Sequence, residues 1–215
     1  MNKKFSTAAE VNRFFAQCNL NMHIRYYVEH KRLVSNQVVE ISKELEKGGL
    51  DPKCERDLEV AKHVYLNSYH QHMIINAFLL MYSHLEECLA VTLSIFVKGP
   101  PVSMKTGLDR FKEEFQKRCS VTLTEGPRWA FLQDCSQLRN TLLHAAGNIT
   151  LVRDKGRLDP VIKRNSKYVD VANKRLVLHE QILSEFSDTI PVFLDWLTNE
   201  IENGTTARES VLRPE

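Results

Sequence analysis

Residues 54–97 contain neither glycine nor proline, and their apolar side chains recur at every third or fourth position. This spacing, without either helix-breaking residue, predicts helix. From Ile74 onward the pattern is apolar nearly all round, which is typical of a helix in the middle of a helical domain. One globular helix of this length would be unusual, so we expect a bend or break within it. A chain organised around such a helix is restricted to an all-α architecture.

The helical pattern recurs before and after this central segment. Gly48-Gly49 should end the first helix, and Asp51-Pro52 should start the central one. Thr124 is a plausible N-cap for a later helix, with Pro127 in its first turn. Pro191 should kink the last helix. The other predicted helices span residues 7–47 (one helix, or two with a break near 19–21), 105–119, 124–147 and about 180–202.

Extended structure is expected only late in the chain. Residues 169–171 and 176–178 are rich in β-branched and apolar side chains and flank Asn173, as in a small hairpin. Residues 149–152 carry similar side chains, and 153–167 should form a loop. The predicted fold is therefore an all-α helical bundle with a small β-hairpin excursion before the last helix.

Three parts are predicted along the chain. Residues 1–50 form an N-terminal helical extension that packs on the bundle, residues 51–204 form the bundle itself, and residues 205–215 form a flexible tail. The sequence does not say whether the extension is a dimer arm, a partner-binding element or additional core.

The composition indicates a cytoplasmic protein. The five cysteines form no CxxC pair and read as reduced, mostly buried side chains. The N-terminus lacks the pattern of a signal peptide. The longest apolar run, residues 89–97, is about half of what a membrane-spanning helix needs, so no membrane association is expected. Motifs that cradle nucleotides are also missing from the sequence, which predicts no cofactor.

The most concentrated polar chemistry lies at the end of the helix before Gly147. Arg139, Asn140 and His144 fall within six positions there. Arginine binds phosphate through a planar fork, and histidine moves protons near neutral pH. Asn140 and His144 share one helix face, but Arg139 and His144 are about 140° apart on an ideal helix. The set forms a site if the helix unwinds or if a second copy supplies the other half; otherwise Arg139 makes a surface ion pair and His144 caps the helix.

In this context the motif resembles that of the HEPN superfamily (higher eukaryotes and prokaryotes nucleotide-binding). The resemblance rests on Arg139-Asn140-x-x-x-His144 within LRNTLLHAAGNITL, on the preceding FLLMYSHLEECLAVTL and on the following VANKRLVLHEQILSEFSDTIPVFLDWL. It covers roughly residues 58–202. The six-residue motif alone is weak, because an arginine and a histidine at this spacing recur by chance.

The resemblance implies a homodimer in which two motifs share one cleft, and a metal-independent endoribonuclease. The 2′-OH of RNA would attack the adjacent phosphate. Arg139 would bind the phosphate and stabilise the transition state, His144 would be the general base or acid, and Asn140 would orient His144 or the phosphate. A toxin or antiphage-defence setting, with an antitoxin or defence-system partner protein, is also implied.

One departure concerns Ala146, because a subset of the superfamily carries tyrosine at that position. Nucleotide modification of that tyrosine is therefore not expected here. The alternative function is a non-catalytic HEPN-like module that binds a protein or RNA, with Arg139 and His144 in structural roles.

A basic stretch follows the motif. Residues 150–178 carry eight basic and three acidic side chains, whereas the whole chain has a net charge of only +2. Such a stretch attracts anions or is simply a solvated loop. Arg153, Lys155 and Arg157 are the candidate RNA contacts, together with His84 from the central helix. A weaker alternative is a metal stripe formed by His63, His70 and His84, but no metal site is predicted. Another is a nucleophile pair of Cys135 and His144.

Overall fold

A computed structural model describes residues 7–211 of the chain, with the side chains of residues 8, 9 and 205–211 outside the description. The described part is mostly helical, with six helices and a two-stranded antiparallel hairpin before the final one, which confirms the predicted fold class. The helices are α1 (Ala8–Lys47), α2 (Pro52–Phe96), α3 (Gly107–Cys119), α4 (Trp129–His144), α5 (Lys155–Arg164) and α6 (Gln181–Val211). The strands are β1 (Val169–Ala172) and β2 (Arg175–Leu178).

Helix α2 is the central element, as its apolar pattern predicts. It starts after Asp51, whose side chain accepts hydrogen bonds from the Lys53 and Cys54 amides. The expected irregularity is a π-helical segment, Val64–Tyr69, that joins two α-helical parts without a break. Eleven residues of the second part are buried. α2 is long and apolar enough to cross a membrane by length and composition, although half of its most apolar window is buried inside the fold, as in a core helix.

Helix α1 packs along α2 and α6. It begins at a capping box, in which Thr7 and Glu10 satisfy each other's backbone amides. The helix is continuous through residues 19–21, so the possible break near these residues does not occur. Leu20 and Tyr27 are buried in the same core cluster as α2, so this part of the N-terminal segment contributes to the core.

Several local predictions are wrong, and the first concerns residues 153–167. Residues 153–167 hold helix α5 rather than a loop, although Gly156 and Pro160 argue against helix. Asp154 caps α5, and two of its apolar residues, Leu158 and Val161, are buried against the core, so tertiary packing outweighs local propensity.

The start of α4 also differs from the prediction. Thr124 is part of a short 3₁₀ turn, Leu123–Glu125, and α4 begins only at Trp129. The final helix continues to Val211, past its predicted end near residue 202. The flexibility of the tail stays a prediction, and residues 212–215 lie outside the described residues.

The hairpin is confirmed and holds the end of α4. β1 and β2 pair antiparallel, and the turn residues Asn173 and Lys174 have positive φ. Residues 149–152, expected to be extended, form no strand. The residue before them, Asn148, makes an isolated β-bridge with Arg175. The Leu176 amide donates to the Gly147 carbonyl over 2.8 Å.

Further hydrogen bonds extend this connection in both directions. The Arg175 guanidinium donates to the Ala146 carbonyl over 2.8 Å. The Gln71 side chain of α2 bonds both the amide and the carbonyl of Leu178. Strand β2 therefore joins the central helix to the turn after His144.

Gly126 lies directly against two aromatic rings of α6. A Cβ at this position would come within 2.5 Å of Trp196 and 2.6 Å of Phe193. We expect Gly126→Ala to lower the free energy of unfolding by about 1–3 kcal/mol, because rigid rings and backbone must shift. Urea denaturation followed by tryptophan fluorescence measures this.

Gly204→Ala is the matched control, because no atom lies within 4 Å of the Cβ it would add. It replaces a helical glycine and should raise the free energy of unfolding by up to about 1 kcal/mol. Equal stabilities of the Gly126→Ala variant and the wild type would contradict the packing described for Gly126.

Candidate active site

Helix α4 buries one side and leaves its polar side facing out. Leu132, Cys135, Leu138 and Leu142 form the buried line. Arg139 and Asn140 are half-buried, and His144, the last residue of α4, is exposed. The turn that follows uses positive φ at Ala146 and Gly147, and the Gly147 amide donates back to the Thr141 carbonyl. This turn fixes where α4 ends and hence where His144 lies.

All three motif residues border one cleft of about 450 Å³. On an ideal helix, Arg139 and His144 would point about 140° apart, too far to share a site. In the structure, both residues of the same chain nevertheless border this cleft. The other walls come from α2, from the start of α3 and from α4 itself. They are Tyr82, Glu86, Thr106, Gly107, Leu108, Asp109, Gln133, Ser136 and Gln137.

Arg139 is held by a hydrogen bond and an aromatic ring. Its Nη1 donates to Asn140 Oδ1 over 2.9 Å, and its Cζ lies 5.6 Å from the centre of the Tyr82 ring. Both contacts orient the guanidinium without neutralising it, and none of the ion pairs among the described residues involves Arg139. The predicted alternative of a surface ion pair for Arg139 is therefore not what the structure shows.

The Asn140 side chain contacts Arg139. Its side-chain oxygen accepts the bond from Arg139, so it positions the guanidinium rather than His144. The His144 ring makes no hydrogen bond to another described residue and is open to solvent. An exposed imidazole without a partner is free to meet a ligand.

The cleft has mixed charge. Glu86 and Asp109 line it together with Arg139 and His144. Burial raises the pKa of Glu86, while the charges of Arg139 and Arg110 act in the opposite direction. Burial also raises the pKa of Tyr82. A single protomer therefore does not present the strongly basic surface that would attract RNA by charge alone.

A second cleft of about 550 Å³ opens on the other side of Asn140 and His144. Arg153 lines it, which brings this predicted RNA contact next to the motif. Lys155 and Arg157 are exposed on α5 and border neither cleft. Arg157 also forms an ion pair of 3.0 Å with Asp154. Of the three predicted RNA contacts in the basic stretch, only Arg153 borders a cleft at the motif.

Helix α5 is tied to α4 through a buried carboxylate. Asp134 accepts two hydrogen bonds from the Arg164 guanidinium and one from the Asn165 side chain. The bidentate geometry is the strong form of this contact. The ion pair fixes the segment that carries Arg153 relative to the motif helix.

His84 requires a correction. It is 4 % exposed and faces α1, where its Nε2 lies 2.9 Å from the Ala16 carbonyl oxygen. It borders neither cleft, so the prediction that His84 contacts RNA is wrong. The Cys135 alternative also fails, since the thiol is fully buried and burial raises its pKa. Among the described residues, no group of three or more His, Cys, Asp or Glu side chains is placed to hold a metal.

Sequence reasoning missed the α2 wall of the cleft. Tyr82 and Glu86 are four residues apart and therefore lie on one helix face. A signal existed, because Glu86 is an acidic residue within the most apolar part of α2. What the sequence did not provide was the partner helix that this face meets.

No family model, no curated protein and no solved structure matches the chain.

Proposed function

We propose that the cleft bordered by Arg139, Asn140 and His144 is the active site of a metal-independent endoribonuclease of the HEPN type. The observation that carries the proposal is the arrangement of the guanidinium and the imidazole. An arginine held by neutral contacts and an exposed histidine open into the same cleft. A phosphate ligand and a proton-transfer group at one place are the minimum that RNA cleavage needs.

The proposed reaction is an internal transesterification. The ribose 2′-oxygen attacks the adjacent phosphorus while the bond from phosphorus to the 5′-oxygen breaks, which leaves a 2′,3′-cyclic phosphate and a 5′-hydroxyl. Arg139 donates to the non-bridging oxygens, where charge develops in the transition state. His144 either takes the proton from the 2′-OH or supplies one to the departing 5′-oxygen.

A homodimer is part of this proposal. A second copy would supply the imidazole for the other proton transfer and a second guanidinium for the phosphate. Apolar side chains near the two clefts are exposed in the single chain, and a second copy would cover them. They are Leu143, Leu151 and Met104, the last 99 % exposed. We place the enzyme in the cytoplasm, with an antitoxin or defence-system protein as its partner.

The second candidate is a non-catalytic module of the same fold that binds a protein or RNA. Glu86 and Asp109 favour it, because two carboxylates in a cleft repel phosphate. The same carboxylates would pair with basic side chains of a protein ligand.

RNA cleavage in excess EDTA tests the proposal. We expect the purified protein to cut single-stranded RNA and to leave 2′,3′-cyclic phosphate ends, identified by mass spectrometry. RNA methylated at the 2′-oxygen should resist, because the nucleophile is blocked. Cleavage of the methylated RNA, or cleavage that EDTA abolishes, would contradict the mechanism.

A conservative variant at Arg139 refines the test. Arg139→Lys keeps the charge but loses the planar fork and the stacking on Tyr82, so the cleavage rate should fall by about tenfold. Arg25→Lys is the control, since Arg25 is exposed on α1 and borders neither cleft at the motif. Equal rates for both variants would remove Arg139 from the phosphate site.

A further inference from the structure

The outward face of α1 carries a stripe of four large apolar side chains that the described fold leaves uncovered. Phe15, Met22, Tyr26 and Leu33 are 54–60 % exposed. At 3.6 residues per turn they lie within about 20° of one line along the helix, roughly 120° away from buried Tyr27. Single exposed apolar residues are ordinary, but an aligned group of them marks an interaction surface.

The spacing of this stripe is the same in both directions. Steps of seven, four and seven residues separate its four members. Two antiparallel copies of α1, related by a two-fold axis near position 24, would therefore place Phe15 opposite Leu33 and Met22 opposite Tyr26. A two-fold interface requires self-complementarity of this kind, whereas an unrelated partner does not. We propose that the α1 stripe pairs with the α1 stripe of a second copy of this chain.

The side chains beside the stripe are compatible with this pairing. Glu29 is the only charged residue within about 40° of the line between Phe15 and Leu33. The two-fold axis places Glu29 opposite Asn19 of the second copy, so no like charges meet. Glu29 also forms an ion pair of 2.8 Å with Arg32 of its own helix, which leaves the stripe without an unpaired charge.

A groove next to the stripe extends the contact onto α2. It has a volume of about 370 Å³ and includes Tyr26, Met73 and Leu80 among its walls. Met22 of the second copy would lie opposite Tyr26 and so beside this groove, which a flexible thioether side chain fills well. The four stripe residues alone expose on the order of 400 Å² of apolar area per protomer. Two such faces total about 800 Å², below the roughly 1,200–2,000 Å² of a stable interface, so we expect a weak, reversible dimer.

This interface is separate from the one in the proposed function. The stripe lies on α1, which packs on α2 and α6, whereas the motif cleft is formed by α2, α3 and α4. Pairing through α1 leaves the cleft open. A chain that used both two-fold interfaces would assemble beyond a dimer.

Cross-linking between copies tests the register. Met22→Cys and Tyr26→Cys are made separately in a Cys18→Ser, Cys54→Ser background, which removes the accessible thiols of α1 and α2. The two proteins are then mixed and mildly oxidised. We expect a disulfide-linked heterodimer, since antiparallel pairing brings positions 22 and 26 together.

The control mixture combines Met22→Cys with Phe15→Cys. In the proposed register, position 15 is eleven residues from the position opposite Met22, about 16 Å along the helix, so this mixture should not cross-link. Equal cross-linking of both mixtures, or none in either, would overturn the proposal.

Sedimentation of the unmodified protein gives an independent readout. The weight-average mass of the wild type should rise with concentration, and Tyr26→Glu should reduce that rise. Val39→Glu is the matched control, because Val39 is also exposed on α1 but lies off the stripe. A Tyr26→Glu variant that associates like the wild type would overturn the pairing through α1.

Discussion

Replacing His144 by alanine is expected to lower the rate of RNA cleavage by about 10²–10⁴-fold. The imidazole is the exposed proton-transfer group that shares the cleft with Arg139. His144 lies at the exposed end of α4 and makes no hydrogen bond to the described residues, so its removal should leave the fold intact. The measurement is the single-turnover rate on a defined RNA in excess EDTA.

His72→Ala is the matched control for this variant. His72 is an exposed histidine on α2 that borders neither cleft, so its replacement should leave the rate unchanged. Unfolding curves of both variants should coincide with that of the wild type. Full cleavage by a folded His144→Ala protein would remove His144 from the chemistry and favour the non-catalytic module.

The second large effect is expected in the core, at Phe186 of α6. The side chain is fully buried, and its ring lies 5.5 Å from that of Phe78 and 6.2 Å from that of Phe131. Phe186→Ala removes a whole ring from this aromatic cluster and leaves a cavity, so the free energy of unfolding should fall by about 3–5 kcal/mol. For a domain of this size, the melting temperature should fall by roughly 10 °C. Calorimetry and urea denaturation both measure the change.

Val192→Ala is the control on the same helix, because Val192 is more than half exposed. Its effect should stay within about 0.5 kcal/mol. A Phe186→Ala variant that loses no more stability than Val192→Ala would show that the aromatic cluster is not the centre of the core.

The helical elements could be predicted because their signals are local. The central helix follows from apolar periodicity and from the absence of glycine and proline, and its start at Pro52 follows from Asp51. Helix α5 could not be predicted in this way. Its propensity is poor, and what stabilises it is the burial of Leu158 and Val161 together with the Arg164–Asp134 ion pair, which are contacts with distant parts of the chain.

The candidate site, too, could be predicted from the sequence only in part. The three motif residues stand out in the sequence because they concentrate polar groups at a helix end. Tyr82 and Glu86 belong to the same cleft but come from another helix, and only tertiary packing brings the two helices together. His84 was misplaced for the same reason, since nothing local shows whether a residue of α2 faces α1 or α4.

Strand β2 also bears on how this protein avoids aggregation. On the side away from β1, the Leu176 amide donates to the Gly147 carbonyl, and the Lys174 carbonyl accepts from the Ile149 amide. The Gln71 side chain bonds both the amide and the carbonyl of Leu178. Free backbone groups on an outer strand recruit strands from other molecules. Because these groups of β2 are already bonded, the sheet cannot grow in that direction. Growth is left to β1, where Asp170, paired with His179 at 3.0 Å, places a charged side chain on a strand of only four residues.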